Sequence, residues 1–201
     1  MDANILNLVK KIYLTNDILS GIIKDLQLLL NNNNIINENK SININNLYNQ
    51  EIIYSNGRYI GQIVNGVRDG KGIYYFNDGS RYEGYWKNNK RHGKGCDYYN
   101  NGERYEGEFR NDKFEGKGIY YYKNNDRYEG SWRNGQYEGK GIYYYNDGDR
   151  YEGDWKNHKR EGKGIFYHNN GDREMGDYFN DKPIGKHAYL NTNGFVFLNN
   201  Y

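Results

Sequence analysis

Arg127-Tyr-Glu-Gly-Ser-Trp-Arg-Asn-Gly-Gln-Tyr-Glu-Gly-Lys-Gly-Ile-Tyr-Tyr-Tyr-Asn-Asp-Gly-Asp149 is one copy of a sentence written six times. Its opening arginine recurs at Arg58, Arg81, Arg104, Arg127, Arg150 and Arg173, always 23 residues apart. In the four central copies Tyr-Glu-Gly follows, beginning at Tyr82, Tyr105, Tyr128 and Tyr151. A Gly-Lys-Gly comes half a period later, around Lys71, Lys94, Lys117, Lys140 and Lys163, and becomes Gly-Lys-His at Lys186. A fixed short period is the mark of a repeat architecture, in which each unit buries its apolar surface against its neighbours.

Each copy holds two strand candidates. In Arg127–Trp132, alternation sends Tyr128, Gly130 and Trp132 to one face and charged or polar residues to the other. Glycine weakens a strand unless something needs the space. Recurring at Gly84, Gly107, Gly130 and Gly153, it is expected to admit an aromatic ring from a neighbouring strand. Ile142–Tyr145 is the second strand, and Asn146-Asp-Gly148 signals a tight turn into the next copy. The other connection, Arg133 to Lys140, reads as longer. The fold class is therefore an all-β repeat: an elongated, single-layer antiparallel meander of about six hairpins, extending ~58 Å at ~4.8 Å per strand. The copy from Arg173 carries Glu-Met-Gly in place of Tyr-Glu-Gly, as a capping repeat would.

The repeats are predicted to occupy 51–201, with units starting at 58, 81, 104, 127, 150 and 173; Glu51–Gly57 resembles a half-unit and Phe195–Leu198 a last strand. Residues 1–30 read as a short amphipathic α-helical segment, with Ile5, Leu8, Val9 and Ile12 on one face and Leu19, Ile22, Ile23, Leu26, Leu29 and Leu30 spaced likewise. That stripe has to be buried: over an open sheet end, against its own copy, or in a membrane interface. Residues 31–50 are an asparagine-rich linker.

Composition limits the core and the chemistry. With 24 Tyr, 26 Gly and few aliphatic residues after residue 60, the apolar surface of the repeats has to be aromatic. Cys96 is the single cysteine, so no intramolecular disulfide forms. No secretory signal and no run of about 20 apolar residues is seen. Gly66-Val-Arg-Asp-Gly-Lys71-Gly is one residue short of a phosphate loop and has Gly72 where Ser or Thr must hold the metal. His92, His158, His168 and His187 fall at different phases of the repeat and form no column. Glu106 and Glu108 share a face with Arg104 beside them and read as solvated surface. No enzyme, cofactor or metal site is expected.

The copies at Tyr82, Tyr105, Tyr128 and Tyr151 resemble the MORN repeat family, whose consensus is roughly Tyr-Glu-Gly-x-Trp-x-Asn-Gly-x-x-x-Gly-x-Gly. The copy at Tyr59 departs from it with Tyr-Ile-Gly and no tryptophan. The resemblance implies an elongated scaffold sheet. Proteins built from such repeats include junctophilins, apicomplexan cytoskeletal proteins, ciliary and radial-spoke components, and the N-terminal regions of some plant phosphoinositide kinases. It also implies homodimer formation and lipid binding as properties to look for.

Two surfaces follow as binding candidates. The aromatic face comprises Tyr82, Trp86, Tyr105, Phe109, Tyr128, Trp132, Tyr151 and Trp155, and suits a partner helix or extended peptide. One long edge is basic, with Lys87, Lys90, Arg91, Lys94, Lys156, Lys159, Arg160 and Lys163, and suits an acidic protein or anionic phospholipid. The expected function is a protein-interaction scaffold at a cytoskeletal or membrane-associated structure. The alternative is a peripheral phosphoinositide-binding module on the cytoplasmic face of a membrane. With a formal net charge of +2, no nucleic-acid partner is expected.

Overall fold

A computed structural model describes residues 50–201. The helical segment at 1–30 and the linker, apart from Gln50, lie outside the described residues. Fourteen strands, numbered in chain order, pair antiparallel with their sequence neighbours in a single open sheet. It runs from β1 (Gln50–Tyr54) to β14 (Val196–Asn200). The best-matched repeat supplies β8 (Arg127–Arg133) and β9 (Gln136–Tyr144), and β10 (Arg150–Lys156) opens the next.

The two connections are the reverse of what their lengths in sequence suggest. β8 and β9 are joined by Asn134-Gly135 alone, since Arg133 already pairs with Gln136. Both turn residues have positive φ, 52° and 85°, as a type I′ hairpin turn requires. The strand then continues through a bulge, where the register shifts between Gly130 and Trp132 and Gly139 takes φ +72°. The apparent long loop is thus paired strand. The Asn-Asp-Gly signal instead sits in the five-residue connection Tyr145–Asp149. There Tyr145 N donates to Asp149 O (2.9 Å) and Gly148 N to Tyr145 O (3.2 Å). Successive connections are laced together: Asn146 N donates to Asp126 Oδ1 at 2.8 Å, and Asn169 N to Asp149 Oδ1 at 2.8 Å.

The glycines explain how one layer makes a core. From Gly61 to Gly176 they pair across successive strands, for instance Gly118↔Gly130↔Gly141↔Gly153, and form an unbroken row. Tyr128 lies flat over this row. A Cβ on Gly141 would sit 2.4 Å from its hydroxyl oxygen, and one on Gly130 would sit 2.5 Å from it. The space at Gly130 is therefore taken by the tyrosine two residues earlier on the same strand, whereas Gly141 receives that ring from the neighbouring strand. The hydroxyl ends by donating to Ser131 O at 3.0 Å, so the ring is buried without an unsatisfied polar atom. Trp132 and Trp155 stand edge-on to it, 5.3 and 5.4 Å between centroids and nearly perpendicular. Each indole N–H donates to a glycine carbonyl, Trp132 to Gly118 O and Trp155 to Gly141 O, both at 3.0 Å. Each such aromatic pair adds about 0.5–1.5 kcal/mol beyond the area it buries.

Candidate functional site

Because a strand alternates its side chains, packing every core ring on one face leaves the other with three rows of different chemistry. The middle row runs Ile60–Ile73–Glu83–Cys96–Glu106–Ile119–Glu129–Ile142–Glu152–Ile165–Met175, each residue paired with the next across adjacent strands. Glu83, Glu106, Glu129 and Glu152 are exposed. Glu129 lies 3.8 Å from Arg127, while Glu83, Glu106 and Glu152 make no hydrogen bond or ion pair with the described residues. Cys96 holds the place that isoleucine takes in the later repeats, and burial pushes its thiol pKa up, which suits a small apolar residue.

Toward the five-residue connections lies a row in which the opening arginines alternate with tyrosines. Arg81, Arg104, Arg127 and Arg150 stack their guanidinium groups on Tyr98, Tyr121, Tyr144 and Tyr167 at 3.7–4.2 Å. Toward the tight turns lies a row of Lys94, Lys117, Lys140 and Lys163 interleaved with Glu108, Ser131, Asp154 and Asp177. Lys140 pairs with Asp154 at 2.7 Å and Lys117 donates to Ser131 Oγ at 2.9 Å. Between the lysine and glutamate rows this face shows only the backbone of the glycine row, because a side chain there would point the other way, into the rings. The result is a trough of about 1550 Å³ on this face, reaching from Glu83 to Asp177.

The residues singled out from sequence divide among these surfaces. Tyr82, Trp86, Tyr105, Phe109, Tyr128, Trp132, Tyr151 and Trp155 are only 0–6% exposed. They are the core of the sheet and offer a ligand almost no surface. Burial drives the phenol pKa of Tyr82, Tyr105, Tyr128 and Tyr151 upward. The basic residues do not form one patch either. Arg91 folds over Tyr82 and Phe109 and pairs with Asp97, which is 3% exposed, and with Asp112 at 3.4 Å. Burial pushes the Asp97 carboxyl up and Arg91 pulls it partway back. Arg160 likewise covers Tyr151 and Tyr178 and lies 3.7 Å from Asp181. Lys94 and Lys163 line the trough. Lys87, Lys90, Lys156 and Lys159 remain as exposed flanks of two tight turns. What sequence reasoning passed over is the glutamate–isoleucine row. Its signal was present in the same alternation that placed the rings, since Glu129 and Ile142 are out of phase with Tyr128 and Tyr143. Among the described residues no group of histidine, cysteine and carboxylate side chains is placed to hold a metal ion.

Comparison with solved structures gives only distant likenesses. The TCP domain of SAS-4 (dCPAP) from Drosophila melanogaster, in complex with a proline-rich motif of Ana2, is 17% identical with a TM-score of 0.41, over 82% of this chain and 90% of that one. The CPAP G-box domain is 10% identical with a TM-score of 0.40, over 76% of this chain and 99% of that one. No curated protein matches. Against protein families, the MORN repeat matches five consecutive times, at residues 59–81, 82–104, 105–127, 128–150 and 151–173. With more than half its length in those five units and the glycine-seated tyrosines repeating through them, the chain belongs to the MORN repeat family.

Proposed function

We propose that this protein is a non-enzymatic scaffold that holds a segment of a partner protein in the trough, at a cytoskeletal or membrane-linked structure. The observation that carries this reading is the division of labour between the faces. The aromatic face is consumed in holding the sheet together, and the opposite face presents apolar, acidic and basic rows along a glycine-floored channel. Such a surface is rigid, extended and chemically periodic, which suits a linear segment better than a small molecule. The test is selection of binding peptides from a random library on the full chain, followed by the Ile119→Lys/Ile142→Lys variant. Lysine at these positions fills the channel and pairs with the flanking glutamates while leaving the core untouched. Selected peptides should lose binding to the variant by tenfold or more. Peptides that bind both proteins equally would refute the trough as the site.

A second reading rests on the exposed lysines of the tight-turn edge, Lys87, Lys90, Lys156 and Lys159, as a surface for anionic phospholipid headgroups. It predicts flotation with phosphoinositide-containing vesicles that is lost on reversing these four charges. Flotation that survives the reversal refutes it.

A further inference from the structure

The occupant of the trough can be specified from its period, given the reading of the trough as a peptide site. Equivalent residues in successive repeats are two strands apart, or ~9.6 Å. The four exposed glutamates Glu83, Glu106, Glu129 and Glu152 therefore span three such steps, ~29 Å, along the middle row. A ligand lying along that row stays in register only if its own repeat matches. Two turns of an α-helix advance ~10.8 Å, so a helix drifts by more than 3 Å over the row. An extended β-strand advances ~10 Å in three residues but turns alternate side chains away, so every second cation would point out of the trough. A polyproline II helix advances ~9.3 Å in one turn of three residues and returns to the same face, drifting by only about 1 Å.

We propose that the trough binds a polyproline II segment of a partner protein with a lysine or arginine at every third position. Charge supports the cation. The trough lining carries Glu83, Glu106, Glu129, Glu152, Glu108 and Asp177 against four lysines, the arginines beyond the glutamate row are stacked on tyrosines, and Glu83, Glu106 and Glu152 make no hydrogen bond or ion pair with the described residues. Isoleucine supports the apolar positions between the cations, because Ile119, Ile142 and Ile165 alternate with those glutamates. A polyproline II backbone makes no internal hydrogen bonds, and its carbonyls are free to accept from the exposed ammonium groups of Lys94 and Lys163 on the rim.

The experiment is fluorescence anisotropy of the full chain with three labelled peptides at physiological salt. The first is (Pro-Pro-Lys)4, the second has the same composition with its lysines clustered, and the third is a helical peptide with a lysine at each heptad. The triplet peptide should bind at least tenfold tighter than the clustered isomer. Glu106→Gln/Glu129→Gln should reduce that binding tenfold or more while leaving the circular dichroism and unfolding midpoint unchanged. Equal affinity for the clustered isomer would mean simple charge attraction and would overturn the proposal, as would failure of the triplet peptide to bind. Tighter binding of the helical peptide, abolished by Ile119→Lys/Ile142→Lys, would also overturn it while leaving the trough as a peptide site. If neither these peptides nor any selected from the library depend on the trough, the reading of the trough itself fails.

Discussion

His187 fills the space over Gly176 that a tyrosine ring fills in every earlier full repeat, and its Nδ1 lies 3.4 Å from Glu174 Oε1. One period earlier the same two places are held by Gly164 and Tyr151. The ring has changed strands. In the earlier repeats it comes from the tyrosine and lies on the glycine; here it comes from the glycine's position and the tyrosine has become a carboxylate. A Cβ on Gly176 would sit 2.2 Å from His187 Cδ2, as close as the clash between Gly164 and Tyr151. His187 is fully buried, its Nε2 lies 2.9 Å from Asp177 O, and Tyr201 donates to Glu174 Oε1 at 2.6 Å. What looks in sequence like two separate losses of the consensus is one exchange.

The exchange predicts strong coupling. Glu174→Tyr places a second ring where His187 already lies, and His187→Gly opens a hole beside the Glu174 carboxylate. Each should cost about 2–4 kcal/mol. The double variant restores the arrangement of the central repeats and should recover most of that loss, with a coupling energy of about 1–3 kcal/mol. Denaturant midpoints of the wild type, both single variants and the double variant measure it. Additive losses would mean that the two sites are independent.

Arg91 and Asp97 make a second prediction, one with a pH signature. They stand where the fourth repeat, two periods on, has Tyr137 and Tyr143, so an ion pair replaces an aromatic contact on the buried face. Removing only the arginine, in Arg91→Ala, leaves a carboxylate that is 3% exposed without that partner and should cost about 3 kcal/mol or more. The folded-state pKa of Asp97 is already raised, mainly by burial. The stability tied to its protonated form is therefore complete below the unfolded value, about 3.9, and is lost as pH rises through the folded one. The deficit of Arg91→Ala should accordingly grow between about pH 4 and pH 7. Arg91→Tyr/Asp97→Tyr, which copies the repeat two periods on, should match or exceed the wild type and lose this slope. Urea midpoints across that pH range decide it, and a deficit independent of pH would show that Asp97 is not the cause.

The repeat, its antiparallel strands and its glycine-to-aromatic packing were legible in the sequence because period and alternation act through backbone geometry, which residue order encodes directly. The identity of the open face was not. Tyr128 and Trp132 are large and mutually aligned, which in a single-layer sheet reads as surface. Their burial depends on one ring lying flat and the other standing on edge, and residue types do not state side-chain angles. The division of the basic residues was not legible either. Arg91 and Arg160 fold back over the rings while Lys87 and Lys156 stay exposed, and position beside a turn is the same for both kinds of residue. The length of the connection after β8 is hidden in the sequence because Asn134-Gly135 is followed by a bulge. One positive-φ glycine at Gly139 lets the strand resume, and without register information that stretch resembles a loop.

Alkaline pH should unfold the sheet abruptly. Burial raises the Tyr59 phenol to about 12 and also raises Tyr82, Tyr105, Tyr128 and Tyr151. In the unfolded chain these groups ionise near 10. The stability they contribute is therefore intact below about pH 10 and is lost as pH rises toward the folded values, with several protons released together. Tyrosinate absorbance should rise in two phases, the exposed phenols first and the glycine-seated ones only with the loss of sheet circular dichroism. A single phase near pH 10 with the sheet intact would contradict their burial.

Two glycines a few residues apart should respond in opposite measure to the same substitution. Gly135 occupies the tight turn at φ +85°, and a Cβ there meets nothing within 4 Å. Gly135→Ala should therefore cost only the strain of a left-handed residue, about 1–2 kcal/mol. Gly141 has an ordinary strand conformation, yet a Cβ there would lie 2.4 Å from the Tyr128 hydroxyl oxygen and 2.6 and 2.7 Å from two ring carbons. The ring cannot retreat, because Tyr137 stacks on it at 3.5 Å and Trp132 and Trp155 close its sides. Gly141→Ala should cost about 3 kcal/mol or more, at the upper end for overpacking, despite alanine being the better strand residue. Adding Tyr128→Leu, which removes the hydroxyl and shortens the ring's reach, should relieve much of the Gly141→Ala penalty and none of the Gly135→Ala penalty. Denaturant midpoints of the four variants test this. Equal costs at the two positions would mean that the seat of the tyrosine ring is not what the glycine row provides.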